Sequence, residues 1–223
     1  MIQLCIFDLD GTLLNSLQDL ANAMNFALTQ SGFPTHPTEQ YRQMVGSGIS
    51  VLTDRAVGTN SRYTPAEKEI LLENFRRYYA VHCMDNTVPY DGIVPLLKAL
   101  RSRGMTCAVN SNKPDAFTNH LVQTLLPPNI FSVILGKRDE FERKPSPMGV
   151  NAIMHRLNAT PDTTIYIGDS NVDARTAKNA GLTFCGVSWG FRSPQELLQE
   201  GASFIAQTPS DILSFVGALP QTP

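Results

Sequence analysis

The first apolar run of the chain, Leu4 to Leu9, ends in an acidic pair, Asp8 and Asp10, followed by Gly11. Its length and its glycine stop fit a buried strand. No good strand pattern then returns between residues 16 and 88. A helix is expected from Ser16, with Ser16 as N-cap and Asp19 at N3 in a capping box with the shorter acid. Leu17, Leu20, Ala21, Met24 and Leu28 repeat at helical spacing, and Gly32 fits the C′ position. Residues 38–84 read as helical throughout, with Thr64-Pro65-Ala66-Glu67 as a helix start and Leu71, Phe75, Tyr78 and His82 along one face.

Beyond residue 88 the pattern alternates. Helix-like segments near 92–103, 114–126, 147–158 and 171–180 separate apolar runs at Met105–Val109, Phe131–Leu135, Thr164–Ile167 and Thr183–Val187. Alternating strands and helices imply a parallel sheet with helices on both faces. The economical reading is an α/β fold, a doubly wound parallel sheet with an inserted α-helical segment. Residues 1–15 plus 89–223 form the core in this reading, and residues 16–88 the insertion. At about 150 residues per domain, 223 residues give one to two domains. The last residues, Leu219 to Pro223, are expected to fray.

Composition narrows the class. The 42% hydrophobic content is too high for a disordered chain, and no stretch approaches the roughly 18 apolar residues of a membrane span. A net charge of -2 and a pI near 6.1 carry no basic footprint for nucleic acid or anionic lipid. Cys5, Cys83, Cys107 and Cys185 form no CxxC pair, and three of them sit in strand-like runs as small hydrophobes. Met1-Ile2-Gln3-Leu4 runs straight into a strand pattern with no secretory signal. These features lead to the expectation of a soluble, reduced, cytoplasmic protein; oligomeric state is not encoded in any of them.

Ligands of doubly wound sheets sit beyond the carboxyl ends of the strands. There the chain delivers Asp8-Leu9-Asp10-Gly11-Thr12, Asn110-Ser111-Asn112-Lys113, Lys137 and Arg138 followed by Lys144-Pro145, and Gly168-Asp169-Ser170-Asn171-Val172-Asp173. Carboxylates this dense repel one another unless a cation sits among them. Hard oxygen donors without His or Cys point to Mg²⁺.

Asp8-Leu9-Asp10-Gly11-Thr12 resembles the first motif of the haloacid dehalogenase-like (HAD) phosphohydrolases. Ser111, Lys144 and Gly168-Asp169-Ser170 with Asp173 resemble the second, third and fourth motifs, in order. The resemblance implies that Asp8 is a nucleophile forming an aspartyl-phosphate, and that Asp10 protonates the leaving alkoxide and then activates water. Two residues apart on an extended strand, these carboxylates are expected to point the same way. Ser111 would bond a phosphoryl oxygen, and Lys144 and Mg²⁺ would quench the charge repulsion of the attack. Asp8, Asp169 and the Asp10 carbonyl are the implied metal ligands, with Asp173 joining them directly or, as the preferred reading, through water. Thr12 and Asn112 are candidate substrate-binding residues; Asn112 and Ser170 equally suit supporting positions behind the residues that touch substrate. Members that cleave carbon–halogen bonds lack the second aspartate, so Asp10 argues for phosphoryl transfer.

The insertion resembles a small helical cap that closes over the site and selects the substrate. Val45-Gly46-Ser47-Gly48, with Leu52 and Arg55-Ala56, resembles the cap loop of phosphoglycolate phosphatases, as does Gly186-Val187-Ser188-Trp189-Gly190. Gly46, Ser47, Gly48 and Arg55 are thus candidate substrate-binding residues, with backbone NH groups suited to a small carboxylate. Asn15 departs from the aspartate expected before Ser16.

Each feature also has a bland reading. Asp8 and Asp10 could be a solvated turn, Lys144-Pro145 the start of a surface helix, Asp173 a first-turn acid favoured by the helix dipole, and Gly46 and Gly48 a C-cap with its loop. His36, His82, His120 and His155 have no ligand-like spacing, and Trp189 suits the core or its rim. The leading expectation is a Mg²⁺-dependent phosphatase of a small phosphorylated metabolite. The alternatives are a β-phosphoglucomutase-like phosphotransferase and, in another class, a non-catalytic receiver-like phosphoacceptor.

Overall fold

The computed structural model describes residues 2–58 and 63–218; the expectation of fraying at 219–223 lies outside them. By internal contacts the chain divides into two compact units, Asn15–Val88 and the remainder.

In the larger unit, strands β1 (Leu4–Phe7), β4 (Thr106–Pro114), β5 (Phe131–Lys137), β6 (Thr164–Gly168), β7 (Thr183–Val187) and β8 (Phe204–Ala206) form one sheet. Two further strands, β2 (Leu14–Asn15) and β3 (Val88–Pro89), pair as a separate short ribbon. The order in the large sheet is β5-β4-β1-β6-β7-β8, and every pairing is parallel. Ranked by appearance in the sheet this is 3-2-1-4-5-6, the doubly wound order whose direction reverses beside β1. Helices α5 (Ile93–Ser102), α6 (Asp115–Leu125), α7 (Met148–Arg156) and α8 (Asn171–Asn179) alternate with the strands.

Both faces of the sheet are buried, which is why its strands read as continuous apolar runs. Leu4, Ile6, Ala108 and Tyr166 join Val150 and Ile153 of α7 and Ala174 and Ala177 of α8 in one cluster. The alternate residues Cys5, Phe7, Cys107, Val109, Ile165 and Ile167 are equally buried on the other face. The cysteines are free thiols packed as small hydrophobes.

Three elements escape the apolar-run reading. Helices α9 (Pro194–Gln199) and α10 (Pro209–Ala218) flank β8, a strand of only three residues at the sheet edge. A strand that short leaves no periodicity to read. The end of β4 departs from regular pairing. Asn110 pairs with Leu135 and Pro114 with Lys137, so Ser111, Asn112 and Lys113 together oppose Gly136. The strand continues through a bulge, a device that re-aims side chains at sheet ends.

The smaller unit contains α1 (Leu17–Gln30), α2 (Tyr41–Met44), α3 (Ile49–Val57) and α4 (Pro65–His82). Residues 38–84 are therefore not one helical run; Val45–Gly48 breaks it, with φ of 113° at Gly46 and 85° at Gly48. Helix α4 starts as expected: Thr64 Oγ1 accepts from the Glu67 amide, and Glu67 accepts from the Thr64 amide at 2.6 Å. Phe26 of α1 and Tyr78 of α4 stack at 4.6 Å.

The expected box at α1 is not made, because Ser16 forms no side-chain cap. Asp19 is instead fully buried and takes hydrogen bonds from the Asn86 amide and Nδ2, the Thr87 amide and Thr87 Oγ1, the last at 2.6 Å. A buried carboxylate needs several donors, and this one ties the end of the helical segment back to its start.

Candidate active site

The carboxyl ends of β1, β4 and β6 gather the predicted core residues. In β1, Phe7 lies between Val109 of β4 and Ile167 of β6, and the Asp8 amide extends the ladder to the Ile167 carbonyl at 2.9 Å. The chain then turns sharply. The Leu9 carbonyl accepts from the amides of Thr12, Leu13 and Leu14, and Gly11 has φ of 90°. Asp8 thus continues β1 while Asp10 lies in the turn beyond it, so the two do not share one regular extended strand. Each is held by its own lysine.

Lys144 is the hub. Its ammonium donates to Asp8 Oδ1 and Asp173 Oδ1, both at 2.7 Å, and to Tyr166 OH at 3.2 Å. Its side chain is 4% exposed, so a surface-helix role is excluded. Burial opposes its charge, yet Asp173 and Asp8 outweigh that and hold its pKa well above the ordinary lysine value. The Lys144 backbone is clamped by Asn112, whose Oδ1 accepts from the Lys144 amide at 2.8 Å and whose Nδ2 donates to its carbonyl at 3.2 Å. This is a positioning contact, in keeping with the supporting role read for Asn112 and not with its reading as a substrate contact.

Carboxylate oxygens of Asp8, Asp169 and Asp173 lie within 4.8 Å of one another, all buried. Asp169 Oδ1 accepts from Thr12 Oγ1 at 3.0 Å, and Oδ2 from the Phe191 amide at 2.7 Å. Thr12 is fully buried, so its hydroxyl orients Asp169 and does not line an open site. The approach to Asp169 is too close for side chains: a Cβ on Gly190 would lie 2.1 Å from its Cβ, and one on Gly11 would lie 2.3 Å from its Oδ2. Asp173 is at once the acid of a capping box and a partner of Lys144. Its Oδ2 accepts from Ser170 Oγ at 2.5 Å and from the Ser170 amide at 3.1 Å.

Burial raises the pKa of Asp8 well above the carboxylate range, reinforced by Asp173 and opposed by Lys144. Burial, again with Asp173, pushes Asp169 up to about 7 against the Phe191 and Thr12 donors. Three carboxylates and one ammonium leave this cluster short of positive charge in a poorly solvated place.

Two functional side chains were missed in the sequence. Lys113 donates to both Asp10 oxygens, at 2.9 and 3.0 Å. Tyr166 OH donates to the Asn110 carbonyl and Oδ1 while accepting from Lys144. The signal for Tyr166 was available, since a phenol in a buried strand of Thr-Ile-Tyr-Ile-Gly must find a polar partner. Lys113 was visible at the strand end, but its ion pair to a residue 103 positions away has no local signature. Ser111 lies in the bulge with its Oγ accepting from the Lys113 amide at 3.2 Å.

The model for the haloacid dehalogenase-like hydrolases matches residues 5–187. The chain belongs to that family. The family's phosphoglycolate phosphatase from Pseudomonas putida is 32% identical, over 97% of this chain and 78% of that protein. The one from Vibrio parahaemolyticus is 32% identical over 96% of each. Among solved structures, a predicted phosphoglycolate phosphatase from Haemophilus somnus superposes with a TM-score of 0.89 at 29% identity, covering 96% of this chain and 97% of that one. The receiver-like reading falls with these findings, because the match to the hydrolase family spans residues 5–187, helical insertion included.

In the helical segment, the cap-loop candidates are held by one another. Arg55 donates to the Met44 carbonyl at 2.8 Å and to the Gln43 carbonyl at 3.4 Å, and reaches Ser47 Oγ at 3.5 Å. Arg55 thus braces the loop that carries Gly46, Ser47 and Gly48, a role the sequence did not show.

The donor set fits the Mg²⁺ that HAD-like enzymes use. It is all hard oxygen, dense and buried, and the raised values of Asp8 and Asp169 show what a cation would relieve. An acid raised in the folded state binds more protons there, so metal-free stability falls as pH rises from 3.8 through about 7. Mg²⁺ should therefore stabilise the protein more at pH 8 than at pH 5.5. At about 100-fold over Kd, mass action gives about 2.7 kcal/mol, or roughly 5–10 °C in Tm for a chain this size. Melting with Mg²⁺ and with chelator at both pH values checks this; an equal shift at both would contradict it.

Proposed function

We propose that the protein hydrolyses small phosphomonoesters through phosphorylation of Asp8, with phosphoglycolate as its preferred kind of substrate. The observation that carries the chemistry is the Asp8 carboxylate held at 2.7 Å by Lys144 beside Asp169 and Asp173. An aspartate placed so is buried, raised in pKa and starved of positive charge, which suits a nucleophile completed by a cation. The relatives named as phosphoglycolate phosphatases support the substrate.

In the first step an Asp8 oxygen attacks phosphorus, the bond to the leaving oxygen breaks, and Asp10 gives that oxygen a proton. In the second, Asp10 takes a proton from water as it attacks phosphorus. The bond to Asp8 breaks, freeing phosphate and restoring the carboxylate. Lys144 stabilises charge on the phosphoryl oxygens in both steps, and Ser111 hydrogen-bonds one of them. Asp8, Asp169 and the Asp10 carbonyl would hold Mg²⁺, and Asp173 would reach it through water. Bound there, Mg²⁺ supplies charge neutralisation and Lewis acidity. Asn112 and Tyr166 act through Lys144, and Thr12 through Asp169.

Phosphate release from a panel of small esters, with and without Mg²⁺, tests the reading. Phosphoglycolate should exceed phosphosugars in kcat/KM by about tenfold or more. Isomerisation of a phosphosugar without phosphate release would instead favour the phosphoglucomutase-like alternative.

A further inference from the structure

Lys113 is a buried cation beside the site that the assigned roles leave unused. Lys113 has a side chain 3% exposed, against 13% for its partner Asp10. Burying an ammonium is costly, and Lys113 sits in a bulge that turns Ser111, Asn112 and Lys113 away from regular pairing. Its bulge neighbours are both engaged: Ser111 Oγ accepts from the Lys113 amide, and Asn112 holds the Lys144 backbone. Lys144 is committed to the carboxylates at the phosphorus end. Lys113 instead marks Asp10, the group that must face the leaving oxygen.

We infer that Lys113 determines specificity by binding an anionic group on the leaving side of the substrate. This deepens the proposed function and rests on its placement of Asp10. In phosphoglycolate, a single methylene separates the ester oxygen from the carboxylate. A cation within 3.0 Å of the carboxylate that protonates that oxygen is therefore next to the substrate carboxylate. One ammonium can serve two carboxylates at once, as Lys144 does with Asp8 and Asp173 in the same site. Selection follows from the charge: an ester with a neutral leaving group forgoes a charged hydrogen bond in a buried place.

The test compares phosphoglycolate with ethyl phosphate, which keeps the methylene but lacks the carboxylate. Wild type should prefer phosphoglycolate in kcat/KM. Lys113→Met should reduce that preference by about 10- to 100-fold, chiefly through KM for phosphoglycolate. Lys113→Arg should restore part of it. A role confined to holding Asp10 would lower both esters alike and leave the ratio unchanged, and that result overturns the inference while leaving the phosphatase reading intact. If wild type hydrolyses neither ester, the proposed function fails and the inference with it. If Lys113→Met does not fold, Lys113→Gln keeps a hydrogen-bond donor without the charge and is read by the same ratio.

Discussion

Asp8→Asn is expected to lower turnover of every phosphate ester by about 10⁴-fold or more, the scale on which removal of a covalent nucleophile is felt. The amide keeps the shape of the side chain and can still accept from Lys144, so the fold should survive. It removes the anionic oxygen that bonds phosphorus. It also removes one of three negative charges from a cluster spanning 4.8 Å. Metal-free Asp8→Asn should therefore melt no lower than the wild type, and higher at pH 8, because the burial and repulsion that raise Asp8 are gone. Loss of activity with gain of stability separates a strained functional carboxylate from a structural one. A variant that loses both would mark Asp8 as a structural ion-pair partner.

Lys144→Met should have the second-largest effect, with the opposite effect on stability. Lys144 is the partner shared by Asp8 and Asp173 and is 4% exposed. Removing one member of a buried ion pair leaves its partners uncompensated, typically at about 3–5 kcal/mol. Urea unfolding in chelator should show a loss of that order at neutral pH. Mg²⁺ should restore part of it by neutralising the same carboxylates. Turnover should stay about 10³-fold down even with Mg²⁺, since the charge facing the phosphoryl oxygens is missing. Restored turnover in saturating Mg²⁺ would show that the lysine serves only to offset charge.

The legible part of this molecule is the part written in short-range pattern. The run Leu4–Leu9 with its glycine stop located β1, and the alternation after residue 88 located four more strands and their helices. Because ligands gather at strand ends in such sheets, reading the residues after each run was enough to place Asp8, Asp10, Ser111, Lys144, Asp169 and Asp173 in one region. Partnership was not legible. Thr12 and Asn112 were candidates for the site, but which groups they hold was not readable: their hydrogen bonds go to Asp169, 157 residues away, and to the Lys144 backbone, 32 residues away. Asp19 looked like a local cap, yet its donors lie 67 and 68 residues on. The partners of Lys113 and Tyr166, 103 and 22 to 56 residues away, were illegible for the same reason. Local spacing fixes which face a side chain is on; which group satisfies it depends on the register of strands brought together only by folding. The bulge at Ser111–Lys113 is a further example, since it exists only relative to β5.

The most direct test of the account is to trap the covalent enzyme. Enzyme mixed with excess phosphoglycolate and Mg²⁺, quenched in acid within one turnover and digested, should carry a single phosphoryl group on the peptide that contains Asp8. The label should be absent with chelator and absent in Asp8→Asn. Phosphate release at full rate with no acyl-phosphate formed, or a phosphoryl group on any other residue, would contradict it.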